Sequence, residues 1–358
     1  MIALPSSFNA NLVIGIALLV MLLVVAGAIV RTRNLLAAII LFSIYSLVSA
    51  VWLVVMDAAD VAFTEAVIGA GVSTIVLLGA ILLTRGEVEK PGWRGLVAPA
   101  LVCAGVGGLL IYAAAGLPTL GDPASPANAH VGRAYLEAAP KEIGAPNIVT
   151  AVLASYRGFD TLGETAVIFA AGIGVALMLG FGPHASPLPP AATIGDHHVV
   201  LRVSAKFLIP LIALFALYVQ FHGDLGAGGG FQAGVIMAAA IILHALVFGL
   251  RDTMTAVPPR LVRSIATLGV LLYAVVGVAC MLNGGAFLDY DYLFPPAFEK
   301  QIPGWLLGDP EHAHHWGQHF GILLIELGVL LTVAATMLTI FYGFAGRTVE
   351  VIRQERGA

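Results

Sequence analysis

Three glutamates stand where glutamate is costly. Glu65, Glu164 and Glu326 lie inside long apolar runs, and Asp60 and Asp160 stand where two of those runs begin. A charged side chain at the centre of a bilayer-spanning helix costs about 3 kcal/mol on insertion scales, so it faces a protein interior or a water-filled path. There a carboxylate can hold a proton or offer oxygen ligands to a hard cation. In "DVAFTEAVIGAGVSTIVLLG", Asp60 and Thr64 are four apart and share a helix face. Glu65 sits about one turn in, ahead of Gly69 and Gly71, where small residues let another helix approach. The alternative is an acid at the positive end of a helix. In "YRGFDTLGETAVIFAAG", Asp160 is placed as an N-cap with Glu164 one turn later. The same two readings, cap or polar cavity, apply to Glu164. Glu326, in "GILLIELGVLLTV", is flanked by apolar residues and too short to snorkel easily, which points to an ion path or an interface with another chain.

A second cluster lies at 221–235, "FHGDLGAGGGFQAGV". His222 and Asp224 precede Gly228, Gly229, Gly230 and Phe231, between two apolar runs. Polar, non-helical backbone beside a membrane needs water or protein to satisfy it. These residues therefore read as the rim of a polar path or as a contact with a partner chain of a complex. Other histidines carry less. "EHAHHWGQH" holds His312, His314, His315 and His319, and a zinc pair at His315 and His319 is sterically conceivable, but no cysteine accompanies it. Adventitious or structural roles are expected there, and no metal site or cofactor. His244 reads as a helix–helix hydrogen bond, and His197 and His198 as surface. No GxxxxGK[ST], GxGxxG or HExxH occurs, which argues against a self-contained enzyme.

The elements that must hold these acids are membrane helices. The 358 residues are 59% hydrophobic and 11% charged, with a mean hydropathy of +0.96. A soluble chain carries about 25% charged residues. The apolar residues come in runs of about twenty, the length that crosses a bilayer as a helix, and not in the alternation of a barrel strand. The expectation is an all-α, polytopic transmembrane bundle of about nine spans: 9–30, 34–56, 59–84, 96–115, 161–182, 201–221, 231–250, 262–283 and 319–344. With the N-terminus outside and the C-terminus inside, all Lys and Arg fall inside except Arg133, Lys141, Arg157 and Lys300. The first span is read as uncleaved, since its arginines, Arg31 and Arg33, follow the apolar run. A net charge of −4 without a basic patch gives no reason to expect nucleic acid. Cys103 and Cys280 lie in apolar runs, unsuited to a disulfide. No internal repeat is visible. The Pro-rich segment 184–200 divides five spans from four.

Residues 195–345 resemble the B component (MnhB-like) of the multisubunit Mrp-type cation/proton antiporters. Pro210, His222, the run Gly228–Phe231 and Gly234 match that family's proline-containing helix and its glycine-rich turn. Ala227 replaces a usual proline, "HG" replaces "GH", and Glu326 stands where aspartate is usual. The first half resembles the C-terminal part of the large Mrp A protein and the small D and E proteins of membrane-bound hydrogenases. Asp60, Thr64, Glu65, Gly69, Arg157, Gly158, Asp160, Gly163 and Glu164 carry that likeness. The implied division is 1–115, Mrp A C-terminal-like (hydrogenase D-like) helices; 116–190, outer loop and hydrogenase E-like helix; and 191–358, an MnhB-like four-helix domain.

The resemblance implies one inner-membrane subunit of a complex exchanging sodium for protons. Its partners would be small C, E, F and G-type subunits, an antiporter-like core subunit, and membrane lipids. Two alternatives remain open at this point: an antiporter-module component of a complex I-related redox or hydrogenase assembly, and a purely structural scaffold.

Overall fold

A computed structural model of the chain describes residues 10–81, 92–119, 121–179, 199–294 and 316–357. Among these residues nine helices are long and apolar enough to cross a membrane, and no β-strand forms. The chain is a polytopic helical bundle. Its elements are α1 (Ala10–Arg31), α2 (Leu35–Val55), α3 (Ala59–Ile81), α4 (Trp93–Ala115), the loop helix α5 (Arg133–Glu142), α6 (Gly158–Leu179), α7 (Val199–His222), α8 (Gly230–Phe248), the short α9 (Leu250–Ala256), α10 (Pro259–Leu282) and α11 (Trp316–Gly357). His197, His198, His312, His314, His315, Arg85, Lys90, Lys300 and most of the 184–200 segment lie outside the described residues.

Helix ends follow local chemistry. Asn34 caps α2 by accepting the Ala37 N–H at 3.2 Å. α10 opens on Pro259, whose missing N–H costs nothing in a first turn. α3 widens into π-type turns over Ala66–Val72. Such turns free backbone carbonyls that lipid cannot satisfy. Here the Ala70 carbonyl accepts from Ser43 Oγ of α2 at 3.0 Å and from Thr74 Oγ1 at 3.2 Å.

α11 is the centre of the bundle. Of its best membrane-length window 67% is buried, against 56% for α8 and none for α4, so α11 organises the packing and α4 leaves its apolar faces outward. α11 packs along α8, α10 and α6. Lipid gives helices no hydrophobic reason to associate, so close packing and interhelical hydrogen bonds must do it. Both are present. Gly328 of α11 meets the Gly269 backbone of α10, and the Thr332 hydroxyl lies 2.9 Å from the Gly328 carbonyl and 3.3 Å from the Ala266 carbonyl.

Two buried tyrosines fix the start of α6. Tyr273 of α10 donates to the Gly158 carbonyl at 2.6 Å, and Tyr290 of the following loop donates to the Ala154 carbonyl at 2.9 Å. Burial pushes the Tyr290 phenol well above its ordinary range, so it stays a protonated donor. Tyr290→Phe removes that donor while keeping the ring. It is expected to lower the unfolding midpoint of the purified chain by about 2–4 °C, read by thermal scanning in detergent. An unchanged midpoint means the Ala154 carbonyl finds another donor.

Candidate functional site

The glycine-rich turn meets a set of steric requirements. α7 ends at His222 and α8 begins at Gly230. Gly229 has φ +113° and ψ 175°, a conformation reserved for glycine. A Cβ on Gly228 would lie 2.7 Å from the Val219 carbonyl oxygen. A Cβ on Gly230 would collide with the Glu326 carbonyl of α11. The three glycines thus let the first turn of α8 press directly on α11 at Glu326.

That approach creates the central contact. The Gly230 N–H donates to Glu326 Oε2 at 2.8 Å, which places the carboxyl group at the N-terminus of α8. Free N–H groups and the helix dipole favour negative charge there. The half-buried side chain of Glu326 also lines a cavity of about 500 Å³. Asp60 and Thr64 of α3, Glu164 of α6, and Gly228–Gln232 of the turn and α8 line the same space. Gln232 donates to Thr64 Oγ1 at 2.7 Å, and Thr64 donates to the Asp60 carbonyl at 3.0 Å. Val61, Leu153 and Val167 give the cavity apolar walls. Three carboxyl groups from three separate helices therefore share one polar space.

The other candidate residues sit elsewhere. Glu65 lies over Gly69 on the side facing α2: a Cβ on Gly69 would be 2.8 Å from Glu65 Oε1 and 2.5 Å from the buried Ser46 Oγ. Asp160 is exposed at the first turn of α6 and pairs with Arg157, whose Nε lies 2.7 Å from Asp160 Oδ2. Neither lines the cavity. His222 stacks on Tyr218 with ring centroids 5.0 Å apart. Asp224 Oδ2 lies 3.7 Å from His319 Nδ1 of α11. These two residues flank the turn without lining the cavity, while Phe231 lines it and packs on the core. His244 Nδ1 lies 2.7 Å from Thr253 Oγ1 of α9. Among the described residues no group of three or more His, Cys, Asp or Glu could hold a metal ion.

Asn147 and Thr150 belong to the site although sequence reasoning passes over them. Thr150 Oγ1 donates to the Gly223 carbonyl at 2.6 Å, and Asn147 bonds the same loop. The only local signal is an asparagine ahead of an apolar run, the mark of an N-cap. Its distant partners leave no trace in the sequence.

Fold and cavity define the class: a polytopic α-helical membrane protein with a carboxylate-lined space between its helices. Residues 200–339 match the family model for the domain related to the MnhB subunit of Na+/H+ antiporter, residues 20–86 that for MbhD of MBH, and residues 106–191 that for MbhE of MBH. A protein of Rhizobium meliloti described as a probable K(+)/H(+) antiporter A/B subunit is 25% identical over 350 residues, which is 89% of this chain and 33% of that protein. The putative antiporter protein mnhB2 of Staphylococcus haemolyticus is 29% identical over 42% of this chain and 96% of its own length. Among solved structures, a chain of the Mrp complex from Dietzia sp. DQ12-45-1b superposes with a TM-score of 0.70 at 26% identity, covering 95% of this chain and 35% of that one. The chain spans about a third of the length of the Rhizobium and Dietzia relatives. It is an Mrp-type membrane polypeptide, with an MnhB-related domain fused behind MbhD-like and MbhE-like segments.

Proposed function

We propose that this chain is an inner-membrane subunit of a multisubunit cation/proton antiporter, and that Asp60, Glu164 and Glu326 line part of its ion path. One observation carries the reading: three carboxyl groups from three helices converge on one intramembrane cavity. A carboxylate serves either ion, since it can take up a proton or ligate a hard cation. The relatives point the same way, as one is named for K(+)/H(+) and the matching domain for Na+/H+ antiport. Sodium is the cation proposed here. On this reading the chain acts as part of a transporter and not as an enzyme. It works beside small C, E, F and G-type subunits, an antiporter-like core subunit, and the surrounding lipid. The N-terminus is placed outside and the C-terminus inside. Residues 1–115 and 116–190 form the hydrogenase D-like and E-like parts, ahead of the MnhB-like domain 191–358. Glu65 and Asp160 are assigned to helix contacts, and His222 and Asp224 to the outer rim.

Asp60→Asn and Glu164→Gln test the path. Each is expected to lower Na+/H+ exchange roughly tenfold, in line with about 1.5 kcal/mol for one lost charged contact. The measurement uses vesicles of an antiporter-deficient host expressing the complete complex. Normal exchange in both, with normal assembly, would remove these residues from the path.

The Gly230–Glu326 hydrogen bond favours a second reading, a scaffold in which Glu326 fastens α8 to α11. It expects the carboxyl variants to lose assembly, with transport lost only as a consequence.

A further inference from the structure

We infer that Asn147 is a positioning residue that clamps Asp60 to the loop ahead of α8 and so sets the mouth of the cavity; this rests on the ion-path reading above. The Asn147 side-chain nitrogen faces three oxygens: the Gly226 carbonyl at 3.0 Å, the Gly223 carbonyl at 3.4 Å and Asp60 Oδ1 at 3.4 Å. Its side-chain oxygen accepts the Val149 N–H at 3.0 Å. The amide orientation is chemically forced, because the flipped group would set an oxygen against three oxygens and an NH2 against an N–H. The Asn147 backbone N–H donates to the Asp224 carbonyl at 3.0 Å, and Thr150 adds the bond to Gly223.

The clamp reaches Glu326 through the loop. A Cβ on Gly223 would lie 3.2 Å from Glu326 Oε2, and one on Gly229 2.8 Å from it. Asn147 therefore ties Asp60 on one side to the loop that presses on Glu326 on the other. The three tied pieces belong to three differently matched segments: Asp60 to 20–86, Asn147 to 106–191, and Gly223 and Gly226 to 200–339. The cavity lies between α3 and α6, so a tie across its mouth has to come from the loops. A side-chain amide is suited to the task. It holds a carboxylate and two carbonyls by hydrogen bonds without adding a positive charge that would repel a cation.

Asn147→Ser separates the clamp from the cap, because serine still caps the Ile148–Thr150 turn but is too short to reach the three oxygens. In vesicles holding the complete complex, it is expected to raise the half-saturating sodium concentration about tenfold while the maximal rate changes less than about twofold, the pattern of weakened binding. Amide hydrogen exchange over residues 222–230 of the purified complex is expected to speed up. Asn147→Ala should match Asn147→Ser in half-saturation. A serine variant with wild-type half-saturation overturns the inference, whether or not the loop exchanges faster, since the residue is then a cap or a structural tie. Unchanged loop exchange also overturns it. If the wild-type complex exchanges no cation for protons, the ion-path reading fails, and the loop measurement still decides whether the clamp exists.

Discussion

A complex carrying Glu326→Gln is expected to assemble normally and to lose cation/proton exchange by about 100-fold, the scale of removing one positioned proton-transfer group. Glutamine keeps the shape of the side chain, and its carbonyl oxygen can still accept the Gly230 N–H that Glu326 Oε2 accepts at 2.8 Å. What it loses is the ability to take up a proton or carry a charge inside the cavity. Glu326→Ala is the companion. It leaves the Gly230 N–H without its acceptor, at a cost of about 1–3 kcal/mol. Alanine should therefore damage both stability and exchange, whereas glutamine damages exchange alone. Vesicle exchange assays, paired with the yield of intact complex, check both. Full exchange in assembled Glu326→Gln complex would falsify a role for this carboxyl group in the path. Loss of assembly in Glu326→Gln would favour the scaffold reading.

Gly230→Ala is the second large effect. The added methyl falls on the Glu326 carbonyl oxygen, which is backbone inside the best-packed helix of the bundle. A flexible side chain could swing away, but helical backbone cannot. Overpacking of this kind costs about 1–3 kcal/mol. It also pushes α8 off α11, which lengthens the Gly230–Glu326 hydrogen bond and alters the cavity. Lower folded yield in detergent, a lower unfolding midpoint and weak exchange are expected together. Gly229→Ala attacks the same turn by another route, through a backbone conformation that costs an alanine about 1–3 kcal/mol. Wild-type yield and midpoint in Gly230→Ala would show that α8 and α11 can separate freely there.

Both effects trace to one design. The glycines let α8 begin against α11, and the carboxyl group of α11 meets the N–H that opens α8. Asp60 and Glu164 then close the space from α3 and α6. A proton or cation crossing this space meets carboxyl groups on three sides.

The sequence alone determined the helices. A run of about twenty apolar residues has one economical conformation in a bilayer, so the nine spans could be read to within a few residues of where they form. It also determined which residues are chemically unusual: the acids in the spans and the glycine-rich turn. It could not say which of those acids meet. Asp60, Thr64 and Ile68 follow one another at the helical spacing and line the cavity; Glu65, one residue on, is turned by about 100° and faces α2. Glu164 lines the cavity, while Asp160, four residues earlier, is held at the helix start by Arg157. Spacing places Asp160 and Glu164 on one face equally well. Asn147 shows the same limit, because its partners lie 76–87 residues away. Helical periodicity fixes which residues share a face. The rotation of each helix about its own axis, and hence which face looks into the cavity, is set by packing on α11.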